Sequence, residues 1–167
     1  EAQLALAQLY QSRGEIKQAE TALQEALTLQ DQYVPAYVNY VSFLQQQGRE
    51  TDAYELLQKG LKVTNAAALH HSLGLWYVRN REKDKGLESL QLAAEMEADH
   101  PRYQYVYAVA VGDKHPEQAL RILELSLQKH IGHLDTLAAL MSYSQQLGDQ
   151  VNVEKYRSKI DRVMRYK

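Results

Sequence analysis

The chain repeats itself, and that repetition limits what it can fold into more than anything else in the sequence. A shift of 34 residues brings Gly14 onto Gly48, Ala19 onto Ala53, Leu23 onto Leu57, Ala26 onto Gly60 and Leu27 onto Leu61. Upstream, Leu6, Ala7 and Tyr10 fall on Tyr40, Val41 and Leu44. Each unit carries two apolar stripes at helical spacing, separated by a polar break that contains glycine, which predicts a helix, a turn and a second helix. A single hairpin of this kind cannot bury its apolar face, so the predicted core forms where neighbouring hairpins stack.

Composition agrees with a helical array and removes several classes of function. The 167 residues include three prolines and eight glycines and are rich in Leu, Gln and Ala, which suits helices better than a sheet with frequent tight turns. Nineteen basic residues stand against 21 acidic ones, so there is no overall positive field to hold a phosphate backbone, and nucleic acid is not an expected partner. Cysteine is absent, which excludes disulfides, thiolate metal sites and cysteine nucleophiles. No apolar run approaches the roughly 20 residues of a membrane helix, so membrane insertion is not expected. The opening Glu-Ala-Gln, without an initiator methionine, reads as a fragment of a longer protein.

The repeat resembles the tetratricopeptide repeat family, whose 34-residue motif asks for large residues at positions 4, 7, 11 and 24 and small ones at 8, 20 and 27. Five copies are predicted, over residues 1–33, 34–66, 67–100, 101–133 and 134–167. The first two match well. The third supplies Leu73, Gly74, Tyr77, Gly86, Leu90 and Ala93 but places Arg81 where the turn glycine belongs. The fourth supplies Tyr107, Ala108, Val111, Ala119 and Leu123, with a turn one residue short. The fifth supplies Leu137, Leu140, Gly148, Val153 and Ile160, with Arg157 at a position usually apolar. The implied fold is all-α, a right-handed α-solenoid of antiparallel helix hairpins. One stretch disagrees locally: Tyr103 to Val111 alternates with period two and is rich in aromatic and β-branched residues, as a strand would be. A lone strand among helices leaves its backbone groups unpaired, so the repeat register prevails and a helix is expected there.

Short motifs offer little chemistry. His130-Ile131-Gly132-His133 spells a nucleotidyltransferase signature, but it falls in a predicted turn between hairpins rather than where a strand meets a helix. With Asp135 the same histidines are a weak metal-binding pattern, and solvated loop residues are the expected reading. Trp76 is expected to pack between helices. The basic run of Lys155, Arg157, Lys159, Arg162, Arg165 and Lys167 is broken by Glu154 and Asp161 and complements the end of a terminal helix. No catalytic constellation stands out, and no catalytic residue, metal or cofactor is expected.

The resemblance implies that the first helix of each hairpin lines a concave groove and that the array binds a protein or peptide without catalysis. The implied groove residues are Asn39, Ser42, Gln46, His71, Leu75, Arg79, Arg102, Tyr105 and Val109. Amides and hydroxyls at the amino-terminal end suit an extended peptide backbone, and the later residues form an apolar strip bordered by two guanidiniums. The family's carboxylate clamp for chaperone tails is not expected: only Asn39 is in place, and Leu4, Val38 and His71 stand at position 5 without its lysine. Two further roles fit the same repeats. One is a structural segment that associates end to end with another copy or with further repeats. The other is a substrate-recruiting arm of an enzyme such as a glycosyltransferase.

Overall fold

The computed structural model describes residues 1–165, so Lys167 of the basic run lies outside the described residues. Those residues form ten helices and no strand. They are α1 Ala2–Ser12, α2 Ile16–Leu29, α3 Val34–Gln46, α4 Glu50–Val63, α5 Ala67–Arg79, α6 Lys83–Met96, α7 Pro101–Gly112, α8 Pro116–Lys129, α9 Leu134–Gln146 and α10 Gln150–Arg165. Consecutive pairs are the predicted helix hairpins. Prolines open α7 and α8 and stand second in α3, where the missing N–H costs nothing because first-turn amides have no intrahelical partner. The alternating segment Tyr103–Val111 lies wholly within α7, so the repeat register prevails over local strand propensity.

Within hairpins 1, 2 and 5 the turn is made by a left-handed glycine, with φ of +73° at Gly14, +73° at Gly48 and +76° at Gly148. The following amide reaches back to the carbonyl five residues earlier, Glu15 to Tyr10, Arg49 to Leu44 and Asp149 to Ser144, each at 2.9 Å. This bond satisfies a carbonyl that the helix end would leave open. Hairpin 3 makes the same turn with Arg81 at φ +65° and the amide of Glu82 on the carbonyl of Tyr77 at 2.9 Å. The departure from the motif at Arg81 is thus a change of residue and not of backbone. Hairpin 4 differs: the amides of Lys114 and His115 both reach the carbonyl of Val111, and no residue of the turn takes a positive φ. The closing bond here spans four residues instead of five, without a left-handed position.

The chain divides into two compact units, Glu1–Ser89 and the residues from Leu90 onward, with the division inside α6. In the first unit the fully buried side chains include Leu23, Tyr37, Val41, Phe43, Leu57 and Leu69. Their helices approach closely because small residues stand at the crossings: Ala19 and Ala53 are buried, and a Cβ on Gly60 would lie 2.9 Å from the Tyr37 ring. At Gly86 a Cβ would lie 2.8 Å from Val78 and 3.2 Å from the carbonyl oxygen of Gly74, so the third hairpin closes backbone against backbone. Trp76 packs at 4.6 Å from Tyr54 and donates its indole N–H to the Glu50 carbonyl at 3.0 Å.

The second unit buries Leu90, Ala93, Ala108, Ala119, Leu123, Leu137 and Leu140 together with Thr136 and Tyr156. In α10 the buried residue beside the expected position is Tyr156, one place before Arg157, which is exposed. The Tyr156 hydroxyl donates to Glu124 at 2.7 Å, and burial followed by that bond raises its pKa. Arg157 instead pairs with Glu154 at 2.8 Å on the outer side of the helix.

Candidate peptide-binding faces

On the first unit, Asn39, Ser42 and Gln46 follow one another at three- and four-residue intervals along α3 and so share one face. Their polar atoms are only partly engaged. The Asn39 amide donates to the Pro35 carbonyl at 2.7 Å within its own helix, and the Gln46 amide reaches the Ser42 hydroxyl at 3.4 Å. The Asn39 and Gln46 side-chain carbonyls take no part in these two bonds and are acceptors by chemistry. On α5, His71, Leu75 and Arg79 stand at four-residue intervals in a single row. Arg79 is 53% exposed and pairs with Glu50 at 3.3 Å, a bond that an incoming carboxylate can compete for at little cost. His71 departs from the expected exposed groove position: it is only 7% exposed, held within the packed part of α5 beside buried Leu69, Leu73 and Gly74.

On the second unit, Arg102, Tyr105 and Val109 form the corresponding row on α7. Arg102 and Val109 are exposed and Tyr105 is half-buried, its ring edge-on to His133 at 6.3 Å. Sequence reasoning missed two supports of these rows, Glu50 under Arg79 and His133 beside Tyr105. Both lie in other helices or turns, and only the repeat spacing between hairpins relates them.

The two histidines are hydrogen-bonded into the fold, while Ile131 and Gly132 between them are exposed to solvent. His130 closes α8 and donates its Nε2–H to the Asp99 carbonyl at 2.6 Å. Lys129 pairs with the same aspartate and holds its carboxyl below the usual carboxylate range. His133 caps α9: its Nδ1 accepts from the Thr136 amide at 3.3 Å and from the Thr136 hydroxyl at 2.7 Å. Each bond engages one nitrogen of its ring, and among the described residues no cluster of three or more His, Asp or Glu is arranged to hold a metal ion. No helix among them is long and apolar enough to cross a membrane.

Five consecutive helix hairpins, three of them turned on a left-handed glycine and four of them with Ala or Gly at the helix crossing, define the class of tetratricopeptide-type helical repeats. The tetratricopeptide repeat family matches residues 1–33. No curated protein matches the chain. Among solved structures, MamA aligns with a TM-score of 0.76 at 17% identity, over 96% of this chain and 95% of that one. PilF of Pseudomonas aeruginosa aligns with a TM-score of 0.76 at 20% identity, over 97% of this chain and 75% of that one. YrrB, described as a TPR protein with an unusual peptide-binding site, aligns with a TM-score of 0.69 at 17% identity, over 96% and 84%. The chain therefore has the tetratricopeptide fold, and its first hairpin carries the family's sequence motif.

Proposed function

We propose that the chain is a noncatalytic interaction scaffold that binds an extended segment of a partner protein on the first helices of its hairpins. The observation that carries this reading is the row Asn39, Ser42 and Gln46 on α3. Neutral amides and a hydroxyl stand in sequence on one helix face, able to meet the alternating donors and acceptors of a peptide backbone. Arg79 on the first unit adds a guanidinium for an acidic side chain. On the second unit, Arg102, Tyr105 and Val109 offer a separate row of one cation, one aromatic ring and one apolar side chain. The relatives of like fold support the reading, YrrB through its described peptide-binding site. Fold alone does not define a ligand.

The test is selection of a random peptide library on the immobilised chain, followed by fluorescence polarisation with the selected peptides. Asn39→Ala with Gln46→Ala, or Arg102→Ala with Tyr105→Ala, is expected to weaken binding by about tenfold or more, with helical content unchanged. Peptides that bind equally to both double variants would overturn the proposed faces.

A further inference from the structure

A cleft of about 510 Å³ opens between α8 and α10, the second helices of hairpins 4 and 5, and both of its walls lie in the second unit. Leu127 and Tyr156 form its floor, 6% and 1% exposed, and the Tyr156 hydroxyl is tied to Glu124 of the facing helix. Ile131 stands at one side, 70% exposed, in a turn that runs beside α10: a Cβ on Gly132 would lie 3.9 Å from the Val163 side chain. Lys155 and Lys159, one helical turn apart on α10, stand at the other side. A shift of 100 residues places α2 on α8 and the start of α4 on the start of α10. The first unit then carries Asp31, Glu55 and Lys59, all exposed, at the places of Ile131, Lys155 and Lys159. The repeat plan therefore requires neither a hydrophobe nor a second cation there, and the second unit has both. The acids near the cleft are already engaged: Glu124 by the Tyr156 hydroxyl, Glu154 by Arg157 at 2.8 Å, and Asp149 by the backbone and side-chain amides of Asn152 at 3.0 and 2.6 Å. Lys155 donates to the Asn152 side-chain carbonyl at 3.1 Å and lies 5.0 Å from the centre of the Tyr156 ring. Among the described residues neither lysine forms an ion pair.

From this geometry we infer that the cleft between α8 and α10 binds an acidic segment of a partner protein. A large apolar side chain of that segment seats on Leu127 and Ile131, while flanking Asp or Glu carboxylates pair with Lys155 and Lys159. The cleft volume lies within the roughly 300–1,000 Å³ of binding clefts. An ammonium beside an apolar floor holds a carboxylate more firmly than one in open water, because less solvent screens the pair. A lipid surface fits less well: Glu124, Glu154 and Asp161 interrupt the basic residues, and a cleft admits a side chain rather than a flat sheet of headgroups.

Fluorescence polarisation with the whole 167-residue chain tests the inference, using labelled synthetic peptides in which Phe or Leu is flanked by Asp and Glu, and a matched set with Lys in their place. The acidic set is expected to bind about tenfold or more tightly than the basic set, to weaken as salt rises, and to shift the Ile131 methyl signals in NMR. Ile131→Asp combined with Lys155→Glu gives the cleft the residues that the first unit carries at the same places. Circular dichroism is therefore expected to stay unchanged while acidic-peptide binding falls by about tenfold or more. Asn39→Ala with Gln46→Ala, and Arg102→Ala with Tyr105→Ala, are expected to leave that binding as it is, which separates this cleft from the rows on the first helices. Acidic and basic sets bound alike, a variant at Ile131 and Lys155 that binds as tightly as the parent, or acidic-peptide binding lost in either first-helix variant would each overturn it. So would attachment to vesicles of equal parts phosphatidylcholine and phosphatidylserine without any binding of the acidic peptides.

Discussion

The first unit seals its core with rings, and the second leaves hydroxyls inside. Tyr37, Tyr40 and Phe43 are buried on α3, and Trp76 stacks on Tyr54 beside Tyr77, whose hydroxyl meets that of Tyr54 at 3.4 Å. In the second unit Ser126, Thr136 and Ser144 are buried, and neither the Ser126 nor the Ser144 hydroxyl has a hydrogen-bond partner among the described residues. A buried hydroxyl left unpaired costs about 1–3 kcal/mol, so the two units differ in how well the same repeat plan is filled. The backbone plan tolerates weak filling because each crossing depends on a few small residues, such as Ala53 in one unit and Ala119 in the other, both fully buried.

The largest test of that difference removes the same core leucine from each unit. Leu57→Ala is expected to cost about 3–4 kcal/mol and Leu123→Ala about 2–3, because stiff rings close over a cavity less readily than aliphatic neighbours do. Urea unfolding read by Trp76, the single tryptophan, reports the first unit, and amide exchange at Leu137 reports the second. A reversed order would break the comparison.

Glycine replacements probe how each unit yields. Gly60→Ala would set a Cβ 2.9 Å from Tyr37, which is fully buried, and is expected to cost about 2 kcal/mol. Gly112→Ala makes a nominally worse clash, 2.1 Å from the Tyr143 hydroxyl, yet Tyr143 is half-buried and tied only by a long 3.4 Å bond to the Val109 carbonyl. Its ring can swing outward, and alanine favours the helix, so the net cost is expected to stay below about 1 kcal/mol. Thermal unfolding of the two variants decides which effect wins.

Ser144→Ala sharpens the same contrast from the other side. Deleting the unpaired hydroxyl and improving helix propensity is expected to stabilise the second unit by about 1 kcal/mol, read as slower amide exchange in α9. Arg81→Gly relieves a left-handed arginine and is expected to add up to about 1 kcal/mol to the first unit, seen as a higher urea midpoint of Trp76 emission. Smallest is an alkaline effect. The hydroxyl contact with Tyr54, and then burial, push the Tyr77 pKa from 10.0 up to about 12. The folded state then holds that proton longer than the unfolded state does, so the stabilisation is whole below pH 10 and is lost as pH rises towards 12. In Tyr77→Phe that part of the alkaline slope in urea unfolding is expected to disappear.

Hairpins 1 and 2 were legible from their spacing because nearly every motif position is filled by the expected kind of residue, Gln3 at position 4 and Val41 at position 8 being the departures. Hairpin 5 was legible except at Arg157, since the period cannot say whether a charged residue is buried or whether its neighbour Tyr156 turns inward. The candidate faces were legible only as rows. Spacing put Asn39, Ser42 and Gln46 on one side of a helix, but the burial of His71 and the ion pair of Arg79 with Glu50 depend on residues brought up from other turns.

The sequence by itself determined the helices, their pairing into hairpins and the left-handed turns, because each follows from a local period or from a residue suited to one backbone conformation. Tertiary structure alone decided that His130 fastens its turn to Asp99 and that Glu50 pairs with Arg79. Those contacts join residues about 30 apart in the chain, and no local pattern encodes them.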